Sequence, residues 1–182
     1  MFSYRVTKYN PALRNSKGAY QKDEWISFSD IGKTFEGVEL LTNEYLGTEA
    51  LYVAAIQSFM NVMNLSSLNV FHLEKERYSL TKHDQKNQDL YPETMISIVE
   101  SIQNGNTLEG AELENFCKLC LRSQIWGVLE SSSKMFVHFG YDYYMYIGAA
   151  EISEEVIEQV RNSGLFVELF ESPYLQSLNS PD

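Results

Sequence analysis

The chain has 182 residues, 14 Lys and Arg against 25 Asp and Glu, a formal net charge of -11 and a sequence pI near 4.7. A surface this acidic repels phosphate, which excludes unspecific binding to nucleic acid and docking to anionic membranes and leaves a basic protein as the fitting partner. With 44% hydrophobic residues, 12 Tyr and 10 Phe, residues 1–182 read as one domain with a substantial core, and no apolar run approaches the ~20 residues of a membrane span.

Phe2, Tyr4 and Val6 alternate with polar residues, the period of a half-buried strand over 2–9. A polar loop follows to Lys22, and Trp25 to Phe28 is either a second short strand or an anchor. Ser29-Asp30 opens a brief turn through Phe35, closed by Gly37. Thr42 caps a helix to about Asn64, with a possible break at Gly47-Thr48 and with Tyr52, Ile56, Phe59, Met60 and Met63 on one apolar face. In the strand Ser67 to Glu74, Leu68 and Val70 point one way and Phe71 and Leu73 the other, which places it centrally in the sheet. Residues 78–91 read as an exposed polar loop. Pro92-Glu93 starts a short helix with the stripe Met95, Ile98, Val99 and Ile102, ended by Gly105. Asn106 or Thr107 caps the next helix, through about Arg122, with the stripe Leu113, Phe116, Cys117, Cys120 and Leu121. Ile125 to Glu130 and Lys134 to Ile147 flank Ser131-Ser132-Ser133 as an antiparallel hairpin whose second arm is interrupted or bulged at Gly140. Ser153 caps a helix with Glu154 and Glu155 in its first turn and Gly164 past its end; Leu165 to Phe170 is a last strand and 172–182 a tail. The order gives an α+β single domain, a mainly antiparallel or mixed sheet packed with about four helices.

Charge is spread unevenly. Residues 1–33 carry six basic and three acidic side chains, 34–133 six and 14, and 134–182 two and eight. The acidic last third is also rich in aromatics. Little here points to catalysis. Cys117 and Cys120 have redox spacing but sit about three turns into their helix, away from the N-terminus that would activate a thiol, and on its apolar stripe. They read as buried core residues. Together with an N-terminus lacking the apolar stretch of a signal peptide, they fit a reducing, cytoplasmic location. Neither a second cysteine pair nor closely spaced histidines among His72, His83 and His138 supply a metal site. No Gly-x-Ser-x-Gly or phosphate loop is present. No enzyme activity, metal or cofactor is expected; the alternative is an intracellular enzyme or small-ligand protein that uses His138 and nearby carboxylates.

The segment Gly140-Tyr141-Asp142-Tyr143-Tyr144-Met145-Tyr146 carries the strongest partner signal. Read as a strand, it sets Tyr141, Tyr143 and Met145 on one face and Asp142, Tyr144 and Tyr146 on the other. Either the second set points outward as tyrosines beside an acid, the make-up of a binding hot spot, or both faces are buried. With Glu151, Glu154, Glu155 and Glu158 the outward reading makes one acidic surface from Asp142 to Glu158.

Tyr4-Arg5-Val6-Thr7-Lys8-Tyr9-Asn10-Pro11, Trp25 with Ser29-Asp30-Ile31-Gly32-Lys33, His138-Phe139-Gly140-Tyr141-Asp142-Tyr143-Tyr144-Met145-Tyr146 and Ser163-Gly164-Leu165-Phe166-Val167-Glu168 resemble a family of small bacterial immunity proteins encoded beside polymorphic or contact-dependent growth-inhibition toxins. The resemblance implies a cytoplasmic, non-catalytic toxin inhibitor that binds one toxin C-terminal domain, often a nuclease; an EndoU-type RNase is the specific expectation. It assigns no contact residues, so Asp142, Tyr144, Tyr146, Glu151, Glu154, Glu155 and Glu158 stand on the surface argument alone.

Overall fold

The alternating N-terminal residues form strand β1 (Phe2–Thr7), which pairs with none of its neighbours in sequence. It lies between β8 (Met145–Ala149) and β9 (Phe166–Leu169), antiparallel to both. The computed structural model describes residues 1–75, 85–151 and 153–175. Over these, the chain runs from β1 through the hairpin β2 (Thr34–Phe35) and β3 (Val38–Glu39) to α1 (Thr42–Val62), β4 (Ser67–Lys75) and α2 (Glu93–Ser101). It continues through β5 (Thr107–Glu109), α3 (Gly110–Leu121), β6 (Ile125–Ser131), β7 (Met135–Phe139), β8, α4 (Glu154–Asn162) and β9. The result is an α+β domain with four helices packed on a seven-stranded sheet of order β5-β4-β6-β7-β8-β1-β9, antiparallel at every pairing.

Both sides of the sheet carry buried residues, by different means. Inward rows such as Val6, Val70, Leu129, Val137, Ile147 and Val167 join the helices in one apolar cluster. On the opposite face Val128, Phe136 and Tyr146 are buried outside that cluster. What covers them is the segment after β9, expected as a tail from 172. Phe170 N–H donates to Ser3 O (3.0 Å), Ser172 N–H to Ser3 Oγ (3.1 Å), and the Tyr174 ring packs on Trp126, His138 and Tyr146. Gly148 is required beneath this cover, because a Cβ there would lie 2.0 Å from the Phe136 ring. Residues 176–182 lie outside the described residues.

Several sequence expectations are corrected. The turn expected through Phe35 is a 3-10 turn at Phe28–Asp30, followed by the β2–β3 hairpin. In the turn, Asp30 accepts from the N–H groups of Ile26 and Ser27. The hairpin turns through Glu36 and Gly37, both at positive φ. Helix α1 runs unbroken past Gly47, and Glu44, not Thr42, caps it by accepting from Leu41 N–H at 3.0 Å. The helix placed from 107 starts at Gly110, since residues 107–109 pair with β4 instead. Strand β4 stands second from the sheet edge, and Phe71 remains 39% exposed on its outer side. Of the loop expected at 78–91, residues 78–84 lie outside the described residues. The rest is a 3-10 segment, Gln85–Leu90, leading to a buried Tyr91.

Candidate functional site

The segment 140–146 is not a continuous strand. Gly140 to Tyr144 form a turn closed by Gly140 N–H to Tyr144 O (2.8 Å) and Tyr144 N–H to Tyr141 O (3.1 Å). Asp142 and Tyr143 take left-handed backbone at φ 54 and 62. The cause is a socket for the Tyr143 ring, which lies 4.9 Å from Trp25, 5.6 Å from Tyr45 and 5.0 Å from Tyr52. The Tyr143 carbonyl also accepts from Tyr52 Oη at 2.8 Å. With Tyr143 drawn inward, Tyr141 is turned out and is 86% exposed, and Asp142 is exposed beside it.

The structure therefore divides the expected surface. Tyr146 is buried under Phe170 and Tyr174. Tyr144 is half-buried between Tyr9 and the Arg5 guanidinium. Neither offers a free ring to a partner, because the segment after β9 and the loop after β1 occupy the outer face. Glu151, Glu154, Glu155 and Glu158 are all exposed, the last two on α4 with Glu154. β8, five residues and roughly 17 Å long, separates Asp142 before its start from Glu151 and the first turn of α4 after its end. Asp142 and the α4 acids thus form two sites.

The α4 site has an apolar centre. Leu169 opposes Tyr4 across β1 and β9, and Phe2 shares the face of Tyr4 by alternation. Both ends of this pair are open, Leu169 at 74% and Phe2 at 52% exposure. Glu154 acts electrostatically on Tyr4 and helps raise its hydroxyl pKa, after burial. Arg161 reaches Glu158 at 2.7 Å and Glu154 at 3.6 Å, while Glu151 and Glu155 enter no ion pair among the described residues.

The Asp142 site has a cavity. The turn forms one wall of a cleft of about 480 Å³. Its floor includes Ile125, Phe139 and Tyr143, and its rim Glu74, Trp126, Tyr141, Asp142 and Tyr174. A bulge in β4 brings Glu74 here. Phe71 opposes Val128 but Glu74, three residues on, opposes Trp126, two residues back. His72 absorbs the extra residue at φ 49. Without the bulge Leu73 would face outward at that position; with it, Leu73 turns toward Gly127 on the helix side and the carboxylate stands opposite the indole. Trp126 is fixed by its Nε1–H donating to Phe139 O at 2.8 Å. Sequence reasoning missed Glu74 and Trp126 because the bulge leaves no mark in composition, and it set Tyr141 on the inward face because it read through the turn.

His138 does not line this cleft. It is 1% exposed, stacked on Phe136 at 4.3 Å, and Nδ1 shares a 2.7 Å hydrogen bond with Ser172 Oγ. Burial, aided by His72, pushes its pKa down to about 4. Cys117 and Cys120 are buried free thiols, and burial raises both far above the ordinary range. No group of three or more His, Cys, Asp or Glu among the described residues is arranged to hold a metal ion. No helix among them is long and apolar enough to cross a membrane. His83 lies outside the described residues.

No family model matches the chain. Neither a curated protein nor a solved structure matches it.

Proposed function

We propose that this chain is an immunity protein that binds and neutralises a cognate basic toxin domain, a nuclease, in the cytoplasm of the cell that makes it. The observation that carries the reading is where the fold puts its charges. Among the eleven Lys and Arg with described side chains, eight are held in ion pairs, several of them substantially buried. Arg5 and Arg14 share Glu168, Lys8 sits on Glu24, and Arg122 is locked to Glu49. Each paired cation is offset by a carboxylate, so the net charge of -11 is left to the remaining carboxylates, among which Asp142, Glu151 and Glu155 stay exposed and unpaired among the described residues. Enzymes that act on nucleic acid carry a basic face, and an acidic partner reaches such a face by steered association.

The likeness to immunity proteins supports the same direction, and an EndoU-type RNase is the toxin class it favours. The α4 corner combines exposed apolar residues, Phe2 and Leu169, with exposed acids, Glu151, Glu154 and Glu155, the mixture of a protein interface. The test is co-expression with the C-terminal domain of the toxin encoded next to this chain. Rescue of growth, and a complex that survives size exclusion, is expected. Killing at equal expression with no complex would end the proposal.

A further inference from the structure

We infer that the cleft between the β7–β8 turn and the bulged end of β4 is an anchor pocket for an arginine or lysine side chain of the basic partner. The inference rests on the reading above and adds the contact that holds the partner after it arrives. Among the described residues that line the cleft none is Lys, Arg or His, whereas two are carboxylates, Glu74 from β4 and Asp142 from the turn. Each is exposed, and neither enters an ion pair among the described residues. Between them are aromatic faces: Trp126, fixed by its bond to Phe139 O, with the Tyr174 ring 5.9 Å from it, and the outward Tyr141.

Carboxylates at the mouth and π faces along the wall are the two features that recognise a cationic side chain. The aromatic contribution grows as water leaves the site. The protein already uses this pairing internally, with Lys8 4.0 Å above Trp25 while bonded to Glu24. In the cleft no cation stands among the described lining residues, and the partner supplies it. The division of labour follows from location: the exposed acids of α4 govern how fast a partner arrives, and the concave aromatic site governs how long it stays.

The closing experiment has two arms. In the first, a short arginine peptide and its citrulline counterpart are titrated into the full chain while the two tryptophan indole N–H signals are followed by NMR. The arginine peptide is expected to shift the Trp126 signal saturably, citrulline to leave it in place, and Glu74→Gln with Asp142→Asn to weaken the shift about tenfold. No shift at Trp126, or an equal shift in the double variant, overturns the cleft assignment. In the second arm, dissociation of the neighbouring toxin domain is expected to quicken about tenfold in the double variant. Glu154→Gln, Glu155→Gln and Glu158→Gln together should instead slow association. Unchanged dissociation of a toxin that does bind overturns the anchor and leaves the immunity reading standing; failure of the unaltered chain to bind toxin ends the immunity reading, whatever the peptide does. Both replaced carboxylates are exposed, so an unchanged melting temperature serves as the folding control.

Discussion

Asp142 and Tyr143 hold left-handed backbone although neither is glycine, and the aromatic socket around Tyr143 is what offsets the strain. Removing the ring should therefore do more than open a void. Tyr143→Ala is expected to lower stability by about 3–5 kcal/mol in urea unfolding. Asp142→Gly, which relieves backbone strain at an exposed site, should leave stability within about 1 kcal/mol of the original. His138 makes a second prediction, on pH. Burial holds its folded pKa at about 4, below the ordinary 6.5, so the unfolded chain binds the extra proton between those values. The stability tied to neutral His138 is complete above about 6.5 and is lost as pH falls toward 4. His138→Gln removes the titrating group, so denaturation measured from about pH 7 down to about pH 4 should show a shallower fall in the variant than in the original chain. The same slope in both would refute this account.

Helix α1 carries a carboxylate on its most buried stripe, Glu49, in register with Tyr45, Tyr52 and Phe59. Arg122, just past the end of α3, meets it with two bonds of 2.7 Å, donates to Leu90 O, and lies 5.2 Å from both the Phe28 and Tyr91 rings. One guanidinium thus ties two helices to the turn at Phe28–Asp30 and to the segment that ends in Tyr91. Arg122→Met leaves Glu49 charged and buried without a partner and should cost about 3–5 kcal/mol, while adding Glu49→Leu should recover much of that loss in the same thermal melts. This joint was legible in part: a glutamate at the i+4 position of Tyr45 and three before Tyr52 breaks an otherwise apolar stripe. The bulge at His72 was not, because a one-residue change of register depends on what β6 and Asn104 offer, and Leu73 N–H takes the Asn104 side chain at 2.8 Å.

As a whole the molecule is an acidic body in which Arg5, Lys8, Arg14 and Arg122 are held largely buried in ion pairs, and its encounters should depend on ionic strength. Association with the cognate domain is expected to slow severalfold between low and physiological salt, with dissociation little changed; an on-rate indifferent to salt in stopped-flow mixing would remove steering from the account. The fold class, the four helices of the described residues and strands β1, β4, β6 and β9 could be read from periodicity, while β7 and β8, buried on both faces, read as one arm interrupted at Gly140. The sheet order could not, for hydrophobic alternation says which face is buried and nothing about which strand lies alongside. That order has a consequence in time. β1 precedes the rest of the sheet in sequence, yet its neighbours are β8 and β9, and the Arg5–Glu168 contact joins residues 163 positions apart. β9 and the covering segment at 170–175 join β1 across more than 150 residues, and contacts this distant in sequence form slowly. A chain cut short before residue 166 would leave one edge of β1 unpaired and the Tyr146 ring without Phe170 and Tyr174 over it.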